Sequence, residues 1–319
     1  MADVVLEREE MELRRYGAEL PALPLKVEPL AAALREWLEQ RARWSRRQSR
    51  AVCELVLMSY RDPAASGFNR RYLETLCAFL TRLCPSLTAG AAQTLALFLI
   101  AEAPNWLVLA DETMFKMLSA ETAQRAVALV LGAQEAPSAF WLSCSRARAE
   151  TELASPAEPV AEGSKRRILE AVVNMIEEDG PQGITHRAIS ARAKVSLSSL
   201  MHHFGRRSDL LRAGVQELYQ NKLSQRQAAS WRTAAAPYEL ALYALQDPFL
   251  APIAAAVRRK LGADMAADIE DGARQGRDEL AALLQCAIAL MGETAADLAP
   301  NLAPYCARVG IELSTARRA

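Results

Sequence analysis

Apolar residues along this 319-residue chain recur at intervals of three and four, and never in sustained alternation. In VEPLAAALREWLEQ, residues 27–40, Leu30, Ala33, Leu34, Trp37 and Leu38 fall on one helical stripe. The same periodicity predicts helices over 3–19, ending before Pro21, over 46–63, stopped by Pro63, over 69–83 and over 88–103. A helix from Ser119, as N-cap, to Gly132 closes this first block. Residues 146–164 carry Ala, Glu, Ser and Pro with few large apolar side chains, the composition of an exposed linker. Periodicity resumes at 164–178, with Ser164 as the expected N-cap and Gly180-Pro181 as the stop. It continues through 186–193, 197–204, 209–226, 237–246, 249–261, 264–292 and 300–314. With no Asn-Gly hairpin signal either, the pattern predicts an all-α chain. Four regions follow: a helical domain 1–143, a linker 144–163, a small helical unit 164–212 and a second helical domain 213–319.

Composition narrows the function. Hydrophobic residues at 51% and charged residues at 24% are globular values, and the formal net charge of zero means that any nucleic-acid surface is a local patch. The six cysteines form no CxxC pair and lie in apolar helical contexts, so they read as reduced thiols of a cytoplasmic protein. Three histidines without ligand spacing give no metal site, and no cofactor is expected. No nucleophile–base pair or phosphate loop appears, so an enzyme is not expected. The N-terminus carries acids and no apolar h-region. Leu83 to Ala101 is uncharged but holds Pro85, Gly90 and Gln93, which suits a buried core helix rather than a membrane span.

The chemistry concentrates in ITHRAISARAKVSLSSLMHHF, Ile184 to Phe204. Thr185 caps one short helix and Ser196 the next, and Ile189, Ala193, Val195, Leu200 and Phe204 form their inner side. This is a helix-turn-helix, whose second helix can enter a major groove N-terminus first. From Thr185 to Arg212 there are six basic residues, Arg187, Arg192, Lys194, Arg206, Arg207 and Arg212, against one acid, Asp209. A patch of this sign is what phosphate contact requires.

Thr185, Ile189, Ala193, Val195, Ser196, Leu200, His203, Phe204, Arg207, Leu210 and Leu211 together resemble the DNA-binding domain of the tetracycline-repressor (TetR) family. The resemblance covers about 165–212. It implies that Thr185, Ser196, His203 and Arg207 contact phosphates, and that Arg187, Leu197, Ser198, Ser199 and His202 face base edges or thymine methyls. Two positions depart from the family pattern: Lys194 stands where the turn usually has Gly, and Met201 where a backbone-contacting Tyr is usual. Both favour the alternative, a helical ligand- or partner-binding protein whose degenerate helix-turn-helix no longer reads DNA.

ELVLMSYRDP at 54–63 and ELALYALQDP at 239–248 match in register, which suggests two TetR-like units in tandem, the first without its own helix-turn-helix. Aromatic residues inside the helical blocks are candidates for an effector pocket: Trp37, Tyr60, Tyr72, Phe79, Phe98 and Trp106 in the first, and Trp231, Tyr238, Tyr243 and Phe249 in the second. The resemblance implies double-stranded operator DNA and a small, largely apolar effector as partners, and release from DNA on effector binding. One helix-turn-helix per chain implies a homodimer, unless the two blocks mimic a dimer within one chain.

Overall fold

The computed structural model describes residues 1–62, 67–133, 139–153, 163–179, 183–224, 235–261 and 272–311. Among them the chain is all-α, with no strand. The first block runs α1 (Ala2–Ala18), α2 (Val27–Arg43), α3 (Arg46–Arg61), α4 (Gly67–Leu83), α5 (Ala89–Leu109), α6 (Thr113–Leu131) and α7 (Phe140–Leu153). The small unit is α8 (Ser164–Asp179), α9 (His186–Ala193), α10 (Leu197–His203) and α11 (Arg207–Ser224). α12 (Ala236–Ala244), a 3-10 turn at Pro248–Leu250, α13 (Ala251–Lys260), α14 (Gly272–Met291) and α15 (Glu293–Arg308) follow.

Three expectations are corrected. Ser119 is no cap: α6 starts six residues earlier, behind Glu112, and the Ser119 hydroxyl is buried, accepting from Trp106 Nε1 at 2.9 Å. α5 does not end at 103 but runs through Pro104 to Leu109. A proline inside a helix costs about 3 kcal/mol, and burial outweighs this, because α5 is covered nearly all round. The first part of the expected linker, up to Leu153, is helix α7; the stretch 154–162 lies outside the described residues. Ser164 sits in the first position of α8.

α5 is the axis of the body. It is long and apolar enough to cross a membrane, yet 83% of its apolar window is buried inside the protein. It packs against α2, α3, α4 and α6 of its own block and against α12, α13, α14 and α15. One continuous core therefore runs from Leu6 and Leu13 through Leu95 and Phe98 to Leu284, Ile288 and Leu302. Two close approaches fix the helices. A Cβ on Gly90 would lie 2.5 Å from the Asn301 carbonyl oxygen, and one on Gly214 would lie 2.2 Å from Val172 Cγ1.

The helix order of the first block recurs later. Moved on by 185 residues, α3, α4, α5 and α6 fall on α12, α13, α14 and α15, and Cys53 and Tyr238, which are 185 apart, are bonded through Tyr238 Oη and the Cys53 carbonyl.

A second core belongs to the small unit. Ile168, Val172, Ile189, Leu200, Phe204, Leu210 and Leu211 pack together, and Leu240, Tyr243, Ile253 and Val257 of α12 and α13 join them. The small unit is thus seated on the same two helices that line the body.

Candidate nucleic-acid interface

Local sequence dictates the geometry of the small unit. The Thr185 hydroxyl accepts from Ala188 N at 3.1 Å and opens α9; the Ser196 hydroxyl accepts from Ser199 N at 3.1 Å and opens α10. Side-chain caps of this kind are worth about 1 kcal/mol each. Between them α9 must stop within one turn. Lys194 closes it in the left-handed region, φ 51° and ψ 47°, and is the one non-glycine residue with positive φ among those described. The Val195 amide then donates back to the Ser190 carbonyl at 3.1 Å. The side chain of Lys194 pays a steric penalty there that glycine does not. Lys194→Gly is expected to raise the unfolding free energy by about 1 kcal/mol, read from urea melts; an unchanged or lower value would mean that the turn carries no strain.

The inner side is as the pattern requires. Ile189, Ala193, Leu200 and Phe204 are buried, and Val195 is half-buried. The outer side holds most of the expected contact residues. Thr185, Arg187, Ser196, Leu197, Ser198, His202, His203 and Arg207 are exposed, and Ser199 is half-buried. Leu197 is 51% exposed and Met201 45%, an apolar pair left partly open to solvent on a short helix. Such side chains suit thymine methyls. The cap leaves the hydroxyl proton of Thr185 unused by the backbone bond it accepts, so it can still donate to a phosphate oxygen, while Ser196 Oγ also lies 3.0 Å from Ser198 Oγ.

Other side chains prove to be structural ties as well. Arg207 Nε donates to the Ile184 carbonyl at 2.6 Å, and its guanidinium lies 5.5 Å from the centre of the Tyr243 ring. Tyr243, read from sequence as a pocket residue, is therefore the footing of the small unit on α12. Burial pushes its phenol above the usual value, and Arg207 draws it back. His203 Nε2 is 2.9 Å from Ser164 Oγ, tying α10 to the start of α8. Sequence reasoning left out His186, whose Nε2 is 3.1 Å from the Phe204 carbonyl and joins the start of α9 to the end of α10. It also left out Glu178, which pairs with Arg192 at 2.5 Å. Asp209, the one acid of the patch, accepts from the Arg206 amide at 3.1 Å at the start of α11.

The expected pocket aromatics lie apart from this face. Trp37, Tyr72, Phe79, Phe98 and Trp106 are core residues of the body, with Phe79 ringed by Tyr16 and Trp37. Tyr238 is buried, Tyr60 is half-buried and Phe249 is 66% exposed, facing solvent rather than an interior. Trp231 lies outside the described residues. Beside Trp37 the Arg41 guanidinium stacks at 5.3 Å and pairs with the buried Glu9. Burial pushes the Glu9 carboxyl up, and Arg41 opposes this. Among the described residues, no group of three His, Cys, Asp or Glu is arranged to hold a metal ion.

No curated protein and no solved structure matches the chain. Residues 168–213 match the family model of bacterial regulatory proteins, tetR family. The matched span starts inside α8, contains α9 and α10 whole and ends in α11, which is the unit whose core and caps are described above. Over these residues the chain thus carries a helix-turn-helix domain of the kind that the bacterial regulatory proteins of the tetR family share.

Proposed function

We propose that this TetR-type DNA-binding regulator is a repressor that leaves its operator when a small, largely apolar effector binds its helical body. The observation that carries the reading is the outer face of α9 and α10: basic, rich in hydroxyls, exposed, and held by two side-chain caps. In this reading α10 lies in the major groove of double-stranded operator DNA. Thr185, Ser196 and His203 sit against phosphates with Arg207, while Arg187, Leu197, Ser198, Ser199 and His202 meet the base edges. A two-fold operator needs two reading units, so a cytoplasmic homodimer with half-sites about 34–36 Å apart is part of the proposal. To lodge in the body the effector would have to part the packed core around Trp37, Tyr72 and Phe79, beside the buried Glu9–Arg41 pair. The common helix order of 27–131 and 207–308 supports the tandem reading, in which domains 1–143 and 213–319 are related units and 164–212 is the one reading unit.

Fluorescence anisotropy on duplexes tiled across the DNA upstream of the gene tests this. One duplex should bind in a saturable, salt-sensitive way. Arg187→Ala should weaken that duplex by about 1–3 kcal/mol and leave a scrambled duplex unchanged. The second reading, a domain that no longer reads DNA, is favoured by the strained Lys194 and by the exposed Met201. Equal affinity for every duplex would decide for it.

A further inference from the structure

The corner between α2 and α3, in the first block, gathers arginines around an exposed tryptophan. It holds a cleft of about 410 Å³ lined by Arg8, Arg43, Trp44, Arg46 and Arg47, with Glu12 as its one acid and Ser45 and Gln48 at its floor. The acid and one arginine are engaged elsewhere: Glu12 pairs with Arg15 at 3.6 Å, and Arg43 with Glu39 at 3.0 Å. Arg8, Arg46 and Arg47 have no carboxylate partner among the described residues. Arg41, from the same RARWSRRQSR run, is buried on Glu9 and adds nothing to the cleft. Arg46 and Arg47 form the first turn of α3, which has no acid, and Ser45 makes no capping bond. Like charges gathered at the positive end of a helix repel one another unless an anion joins them.

Trp44 makes the site more specific. It is 82% exposed, although an indole is normally well covered. It stands between Arg43 and Arg46 with its ring open to solvent. A flat aromatic face beside unpaired guanidiniums matches a ligand with two parts: a planar ring that stacks, and phosphates that take the forked N–H donors. The volume is that of a small-molecule site.

We propose that this cleft binds a nucleotide, its base stacked on Trp44 and its phosphates held by Arg8, Arg46 and Arg47 at the open end of α3. The inference goes beyond DNA reading and does not depend on it.

The test uses the full chain and two probes, ADP and inorganic pyrophosphate, followed by tryptophan fluorescence and by calorimetry. ADP should quench the emission of Trp44, and Trp44→Phe should abolish that component while leaving pyrophosphate binding intact. Arg46→Glu with Arg47→Glu should weaken both probes by roughly tenfold or more, since charge-assisted bonds are lost. Far-UV circular dichroism and operator binding of these surface variants should match the parent. Equal affinity for ADP and pyrophosphate, with no quench, would overturn the nucleotide assignment. So would a random-sequence duplex that competes with ADP and loses affinity in the arginine variant, because the corner would then be a DNA contact.

Discussion

Replacing Arg258 by alanine is expected to lower the unfolding free energy by about 3–5 kcal/mol. Arg258 is 1% exposed and sits among side chains that are also buried. Its Nε and Nη2 reach the two oxygens of Glu102 at 2.9 and 2.8 Å, and its Nη1 reaches Glu279 at 2.6 Å. Arg125 takes the other oxygen of Glu279 at 3.0 Å and pairs with Glu121, which also accepts the amides of Trp141 and Leu142 at the start of α7. Burial opposes the charge of Arg258, but Glu102 and Glu279 outweigh it and hold the guanidinium's pKa above the usual value. Truncation leaves Glu102 with the Asn105 amide as its remaining polar partner and no cation. That loss is a large part of a typical 5–15 kcal/mol stability. The damage would not stay local, because α13 carries Arg258 on one side and Ile253 and Val257, which seat the reading unit, on the other. Operator affinity should therefore fall together with the urea midpoint. Arg258→Met combined with Glu102→Leu removes charge and counter-charge together and should recover most of the loss, since Glu279 keeps Arg125 and Thr122. A single-variant cost below 1 kcal/mol, or no recovery in the double variant, would show that the network does not hold the two blocks together.

The reading unit was legible in the sequence because what makes it is local. Thr185 and Ser196 cap helices within three residues of themselves, and Ile189, Leu200 and Phe204 face inward by simple periodicity. The ties of the unit were not legible. Nothing in the sequence tells that Arg207, read as a phosphate ligand, also stands over Tyr243, 36 positions away, or that His203 meets Ser164 across 39. The all-α class and most helices of the body followed from the apolar pattern, but the places where tertiary packing overrides local preference did not. Pro104 reads as a stop, and only the burial of α5 on all sides explains why the helix continues. Glu102 and Arg258 look in sequence like the polar edge of an apolar run and the basic last turn of a helix. Their pairing spans 156 positions, and no periodicity encodes it. The exposure of Trp44 has no sequence signal either, because it depends on which neighbours pack over it.

Gly214→Ala should cost the reading unit about 1–3 kcal/mol and abolish operator binding while the body stays folded. Gly214 lies in α11, facing α8, and it is buried. Its absent side chain lets the two helices approach so closely that an added Cβ would sit 2.2 Å from Val172 Cγ1 and 3.2 Å from Ile176 Cδ1. In most helices alanine in place of glycine is favourable by up to about 1 kcal/mol, so the sign of the result separates packing from propensity. Val172 is β-branched and has few rotamers to move into. α8 must then shift, and α9 and α10 pack on it, so the tilt of the outer face changes with it. A compensating cut should undo this. Val172→Ala in the Gly214→Ala chain removes the clashing methyls and should restore operator affinity to within about tenfold of the parent, the residue of the smaller core. Val172→Ala alone should destabilise the unit through the cavity it leaves, so each single variant would be worse than the pair. If Gly214→Ala proves neutral or stabilising, α8 and α11 are farther apart in solution than this geometry requires.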